Sequence, residues 1–328
     1  MNLLEQLARS SVLVIGDIML DEYIQGLVRR VSPEAPVPVV ETQSVSCFPG
    51  GAGNVAANIA SLGARAYVVG GIGNDSQAEH LRKMLEQQQV KTSGLVSFGS
   101  RPTTTKTRVI AHSQQMLRID REYVLPLDTE EEDLVLSAVE RLMSGAGACI
   151  LSDYAKGILT PRVCQRTLEQ AQAHKIPVVV DPKGRRFDKY AGATVITPNL
   201  DEARQAIAAL DGTVDVELRT DQEIETLTRK LIAQYHSAVL VTRGAQGMSL
   251  IQLDRPAVHI PAHARQVYDV TGAGDTVVAL LALGLASGLP LEAAARLGNW
   301  AAGIVVSKLG TATVTPEELQ QTDCARFA

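Results

Sequence analysis

Asp269-Val-Thr-Gly-Ala-Gly-Asp275 runs directly into an apolar stretch over 276–286. The layout predicts a loop entering the first turn of a buried helix. Gly272 and Gly274 let the backbone approach a ligand closely. The amides of Gly272, Ala273, Gly274 and Asp275 fall among the unpaired donors of that helix start, a cluster that suits an anion without any cationic side chain. A carboxylate in the same turn would repel a bound anion. It has a purpose if Asp275 takes a proton from an attacking hydroxyl while the amides hold the charge of a transferring phosphoryl group. The same residues also read as an ordinary cap and tight turn, so the choice rests on what surrounds them.

Outward from that stretch the chain alternates. Strands are expected over 238–242, 248–253 and 257–260 before it, and helices over 276–287 and 291–307 after it. Toward the amino terminus, strands at 11–15, 66–69, 148–151, 176–180 and 193–196 alternate with helices at 50–62, 75–89, 129–144, 161–174, 200–210 and 220–235. Such alternation predicts an α/β fold of Rossmann type, with a mostly parallel sheet flanked by helices. Ligands of such sheets collect at the carboxyl ends of the strands. Asp17, Ser152, Asp153, Asp181, Asn199 and Thr242 fall at or just beyond those ends, which predicts one shared site. Two pairs of mixed-polarity strands, 23–31 with 37–47 and 103–111 with 115–121, break the alternation and are expected as ribbons outside the core.

Composition narrows the function classes. The 328 residues are 45% hydrophobic and 20% charged, with a net charge of −5, which fits a globular protein and not a nucleic-acid-binding surface. Cys47, Cys149, Cys164 and Cys324 are scattered without CxxC or Cys/His metal spacing, so a reduced, cytoplasmic setting is expected. The first residues lack the layout of a signal peptide, and no apolar run is long enough to span a bilayer.

Other motifs are each weaker alone. Gly50-Gly-Ala-Gly-Asn54 repeats the glycines-then-helix logic, and its amides and Asn54 suit sugar hydroxyls; it reads equally as close helix packing. Thr197-Pro-Asn-Leu-Asp-Glu202 places Asn199 and Glu202 on one face of an early helical turn, suited to a hydrated Mg²⁺ beside phosphates, or to ordinary capping. Val241-Thr-Arg-Gly-Ala-Gln-Gly247 ends a strand with Gly244 and Gly247, where a nucleotide or a plain hairpin turn would fit. No GxxxxGK[ST] loop and no HRD or DFG set is present. Gly70-Gly-Ile-Gly-Asn-Asp75 lacks the third glycine of a dinucleotide fingerprint. His259 and His263 flank Pro261 without an HExxH glutamate, which disfavours zinc. Basic residues gather in the second ribbon, where Lys106 and Arg108 share one face by strand periodicity and Arg118 lies in the following strand. Lys156 and Lys183 follow strand ends, with Arg185 and Arg186 beyond. They suit an acceptor that already carries a phosphate, or are solvated surface charges.

Together, Gly50-Gly-Ala-Gly-Asn54 and Asp269-Val-Thr-Gly-Ala-Gly-Asp275 resemble the two signatures of the ribokinase-type (PfkB) carbohydrate kinases, and Asn199-Leu-Asp-Glu202 is similar to that family's NxxE motif. The order and separations fit over essentially the whole chain. The finer pattern is similar to the D-glycero-β-D-manno-heptose-7-phosphate kinases of bacterial ADP-heptose and lipopolysaccharide synthesis. It is carried by Gly16-Asp-Ile-Met-Leu-Asp21, Arg101-Pro-Thr-Thr-Thr-Lys-Thr-Arg108, Gln115-Met-Leu-Arg-Ile-Asp120, Ser152-Asp-Tyr-Ala-Lys-Gly157 and Asp181-Pro-Lys-Gly184.

The resemblance implies a single ribokinase-like domain over 1–328, with the ribbons, about 22–47 and 103–121, as a small β-sheet lid. It implies ATP-dependent phosphorylation of an anomeric hydroxyl, with Asp275 as base and the amides of Gly272, Ala273 and Gly274 as anion hole. Asp17, Gly50, Gly51 and Asn54 would hold the sugar, and Lys106, Arg108, Arg118, Lys156 and Lys183 its phosphate. Asn199 and Glu202 would serve Mg²⁺-ATP, with Thr242, Gly244, Gly247 and Asn299 around the nucleotide. Asp269 and Thr271 match a monovalent-cation site, K⁺ in some members. The exposed edges and mixed polarity of the ribbons suit pairing between subunits, so a homodimer through the lid is expected. Bifunctional relatives carry an HxGH-marked nucleotidyl-transferring domain; without that motif here, a separate adenylyltransferase is implied. Competing readings are a kinase for another sugar, phosphosugar or nucleoside, and a non-catalytic nucleotide- or sugar-binding regulator.

Overall fold

A computed structural model describes residues 2–263, 267–308 and 312–320; Cys324 lies outside them. In chain order the elements are α1 (Leu3–Arg9), β1 (Ser11–Gly16), β2 (Ile18–Val31), β3 (Pro38–Gly51), α2 (Ala52–Ala60), β4 (Arg65–Ile72), α3 (Ser76–Gln87), β5 (Lys91–Ser97), β6 (Thr105–Ala111), β7 (Gln114–Arg121) and α4 (Thr129–Met143). There follow β8 (Ala148–Ser152), α5 (Pro161–Ala173), β9 (Val178–Asp181), β10 (Val195–Ile196), α6 (Leu200–Asp211), α7 (Asp221–Tyr235), β11 (Ala238–Thr242), β12 (Met248–Ile251), β13 (Val258–Ile260), α8 (Ala273–Ala286), α9 (Leu291–Val305) and α10 (Pro316–Gln320).

Among the described residues nine strands form one sheet in the order β13-β12-β11-β10-β9-β8-β1-β4-β5. All neighbours are parallel except β11–β12 and β12–β13, which are antiparallel. The central strands β1 and β8 are buried along their length, as strands covered on both faces must be. Helices α2, α8 and α9 close one face around Val14, Val68 and Ile150. Helices α4 to α7 close the other around Leu13, Leu151 and Val180.

The two ribbons lie outside this core in a second sheet, β3-β2-β6-β7. Each ribbon is antiparallel within itself, and β2 pairs with β6 in parallel. Two details differ from the sequence expectation. First, β1 passes into β2 through one residue, Asp17, and β3 runs through Gly50 and Gly51 into α2, so Gly50 and Gly51 end a strand and the helix starts after them. Gly51 has φ +57°, and a Cβ there would fall 2.4 Å from the Asp17 carbonyl oxygen. Second, β5 was not expected, because Lys91-Thr-Ser-Gly94 lacks an apolar run. It pairs with β4 at the sheet edge, where one polar face is tolerated. Among the described residues no helix is long and apolar enough to cross a membrane.

Candidate active site

The Asp269–Asp275 turn is pinned where the amides of Tyr268 and Asp269 donate to the Val306 carbonyl and Thr271 N–H donates to Asp269 Oδ1 at 2.9 Å. Gly272 then takes φ +80° as the residue before α8, a conformation that costs an L side chain about 1–2 kcal/mol. The Ala273 amide donates to the Val270 carbonyl at 3.2 Å, so the first-turn donors aimed elsewhere belong to its neighbours. One turn in, Asp275 is buried. Its Oδ2 accepts from Asn54 Nδ2 at 2.6 Å and its Oδ1 from the Tyr154 hydroxyl at 2.5 Å. Burial raises its pKa to about 6, against the lowering effect of those two hydrogen bonds; the nearby Asp21 carboxylate adds to the rise. A buried carboxylate with a pKa near neutrality, at a helix start, is a competent proton acceptor.

A cavity of about 210 Å³ opens on Asp275, lined also by Gly272, Gly274, Asn199, Glu202, Thr242 and Lys183. Strand ends β8, β9 and β11 and the start of α6 supply these walls, as expected at the carboxyl edge of such a sheet. Asn199 and Glu202 form a capping box: Glu202 N–H donates to Asn199 Oδ1 at 2.9 Å and Asn199 N–H to Glu202 Oε2 at 3.0 Å. Glu202 Oε1 also accepts from Lys183 Nζ at 2.7 Å. The capping alternative is thus realised, and both side chains still face the cavity. Asp181 faces it too, and burial together with Asp275 and Glu202 pushes its carboxyl well above the usual range.

A second cavity of about 270 Å³ shares Thr242 and Gly274 with the first and is lined by Gly244, Gly247, Ala273, Val277 and Asn299. Apart from its polar rim it is apolar, the chemistry of a heterocycle pocket. Asn299 is turned from it in part, since Nδ2 donates to the Pro261 carbonyl at 2.8 Å.

On the other side of Asp275 the outer sheet meets the core. Asp17 is buried, and its carboxylate accepts backbone N–H groups of Tyr154, Lys156 and Ile158 at 2.8, 3.0 and 3.1 Å. Burial nevertheless raises its pKa. The outer-sheet cations Lys106, Arg108 and Arg118, and Lys156 beside them, are already partnered. Lys106 and Lys156 both reach Glu122, at 3.3 and 2.8 Å, Lys106 and Arg118 share Asp120, and Arg108 binds Asp21 at 2.5 Å. Lys183 separates from this group and stands beside Glu202, while Arg186 pairs with exposed Asp188.

A family model of the pfkB family carbohydrate kinases matches residues 9–318. The chain belongs to that family. The bifunctional protein HldE of Escherichia coli (strain K12 / DH10B) is 46% identical over 318 residues, covering 97% of this chain and 64% of the relative. HldE of Shigella boydii serotype 4 (strain Sb227) gives the same figures. This pfkB kinase therefore spans 64% of the length of the curated relatives it matches. Among solved structures, Escherichia coli phosphofructokinase-2 in complex with potassium has a TM-score of 0.77 at 21% identity, covering 97% of this chain and 99% of that one. Arabidopsis thaliana ribokinase complexed with ribose and ATP has a TM-score of 0.74 at 18% identity, covering 95% and 98%. At these identities the likeness is one of fold: the large mostly parallel sheet with its helices and the small sheet beside it. As a pfkB member, the chain is a sugar kinase.

Sequence reasoning did not single out Tyr154, Asp21 or Glu122 in this pfkB kinase. Tyr154 lies 121 residues from Asp275, and the available signals were its place just past a strand end and its position within Ser152-Asp-Tyr-Ala-Lys-Gly157.

Proposed function

We propose that this kinase transfers the γ-phosphoryl group of ATP to the anomeric (C1) hydroxyl of D-glycero-D-manno-heptose 7-phosphate, giving the 1,7-bisphosphate, in ADP-heptose and lipopolysaccharide core biosynthesis. The observation that carries the acceptor class is the meeting of Lys106 from the lid and Lys156 from the core on one carboxylate, Glu122. Two ammonium groups from two layers suit a phosphate that bridges them. The 46% identity to HldE over nearly the whole chain supports the same reading.

In this reading Asp275 takes the C1 hydroxyl proton as the hydroxyl oxygen bonds to phosphorus and the bond from phosphorus to the leaving ADP oxygen breaks. Amides of Gly272 and Gly274 face the charge on the transferring group. Thr242, Gly244, Gly247 and the apolar cavity take the nucleotide, and Asp17, Gly50, Gly51 and Asn54 border the sugar. The donor chemistry fits Mg²⁺: Asp153, Asp181, Glu202 and Asp275 line the first cavity against the single cation Lys183 among its described lining residues. No described group of three or more His, Cys, Asp or Glu could hold a metal alone, so Asn199 and Glu202 would hold a hydrated ion beside the phosphates. When bound, the ion neutralises phosphate charge. Asp269 and Thr271 would serve K⁺. A lid-mediated homodimer and an adenylyltransferase activity acting downstream complete the proposal.

One observation favours a second reading, a sugar without the distal phosphate: the lid cations Lys106, Arg108 and Arg118 already have carboxylate partners. ATP turnover measured over a panel of sugars decides between them. Preference for heptose 7-phosphate over the unphosphorylated heptose supports the proposal, the reverse preference supports the second reading, and no turnover with any sugar removes both.

A further inference from the structure

Tyr154 stands in a loop anchored so as to present it. The loop leaves β8 at Ser152, and Asp17 accepts three of its backbone N–H groups. Asp153, just before it, accepts from Ala155 N–H at 2.6 Å, Lys189 Nζ at 2.6 Å and the Tyr190 hydroxyl at 2.5 Å. Ala155 takes φ +55° in that turn, a strained choice that the anchors on both sides hold in place. The Tyr154 ring then reaches the first cavity, and its hydroxyl donates to Asp275 Oδ1. The fold thus sends the hydroxyl to a carboxylate. Opposite it, buried Asn54 fills Oδ2, and Asn58 holds Asn54 in turn.

We propose that Tyr154 is a positioning residue for phosphoryl transfer: its hydroxyl fixes the orientation of the Asp275 carboxylate and holds it in the ionised, proton-accepting form, leaving the remaining lone pairs to the acceptor hydroxyl. The inference rests on the reading of Asp275 as the base. A hydrogen bond donated to a charged acceptor favours the charged form. It opposes burial and the carboxylates that face Asp275, Asp21 from β2 and Asp181 from the end of β9. Glu202 and Lys183 line the same cavity as a paired couple. The tyrosine remains a donor throughout, because burial and Asp275 push its own ionisation well above the ordinary tyrosine range.

The test is Tyr154→Phe, which keeps the ring and the backbone N–H that binds Asp17. The acid limb of kcat/KM should rise by about one to two pH units, the worth of a hydrogen bond to a charged group. Turnover at neutral pH then falls about two- to tenfold and recovers in alkaline buffer. Titration of the Asp275 carboxyl by ¹³C NMR should move by the same amount without any reference to turnover. An unmoved limb and titration, or a loss equal at every pH, overturns the inference. If Tyr154→Phe does not fold, replacing Tyr154 with difluorotyrosine, a stronger donor, should move the limb down; no downward movement is equally fatal. Asp275→Asn separates the two levels. Activity surviving in that variant removes the base reading and this inference with it, whereas an inactive Asp275→Asn beside an unmoved Tyr154→Phe limb removes the inference alone.

Discussion

Asp275 is asked to be buried, charged and basic at once. With its pKa near 6, turnover should fall as pH drops through that value, because the protonated acid cannot take a proton. Asp275→Asn should lose about 10²–10⁴-fold in turnover while keeping nucleotide affinity, as read by steady-state kinetics and calorimetry. The sign of the stability effect is opposite to that of a salt-bridged acid. A folded pKa above the ordinary 3.8 means that the folded state holds the proton longer, so the parent loses stability relative to Asp275→Asn as pH rises from about 4 to about 6. Thermal melts of the two proteins across that window check it. Two lysines are also separable. Lys156→Ala should raise KM for a phosphorylated acceptor, by about 2–4 kcal/mol in kcat/KM, and do little for the unphosphorylated sugar. Lys183→Ala, beside Glu202, should instead weaken nucleotide use for both acceptors alike. Equal behaviour of the two variants would contradict the division of the site.

At the scale of elements, the most exacting junction is the end of β3. Gly51 has a backbone that L residues avoid and sits against the Asp17 carbonyl, to which Ala52 N–H also donates at 3.0 Å. Gly51→Ala should cost at least about 1–3 kcal/mol, seen as a lowered Tm, and disturb substrate binding with it; an unchanged Tm would show that the junction yields. The sequence made the alternation of strands and helices legible, because periodicity and glycine starts are local signals. It also placed Lys106 and Arg108 on one face of β6, where they are found opposite the buried Thr105, Thr107 and Val109. What it could not supply was tertiary. Gly50 and Gly51 look the same at a strand end as at a helix start. Asp17 reads as a loop residue until the second sheet is seen to begin directly after it. Lys183 joined the other cations by chain position and left them once Glu202, on a different element, was in view. Tyr154 meets Asp275 only because β8 and α8 are brought together across the sheet.

For the whole molecule, the outer sheet presents β7 exposed along its full length, with Met116, Leu117 and Ile119 open to solvent. A bare edge strand with apolar side chains calls for cover, and the proposed cover is the same sheet of a second copy. Sedimentation should give a dimer, and Leu117→Lys with Ile119→Lys should give a monomer; a monomeric parent would end that proposal. The helix into which this sheet runs carries a consequence for synthesis. Every residue of α2 is buried, and much of what hides it is α8, which leaves the ribosome roughly 10–40 s later at ordinary elongation rates. Until then only the neighbouring strands can cover α2, and the side that α8 will hide stays open, a target for chaperones and for aggregation. The helix that finally shields it is the one bearing Asp275. A chain cut short before that point lacks at once the cover of α2 and the proposed base, so truncation should give an aggregation-prone fragment and not a weakened kinase.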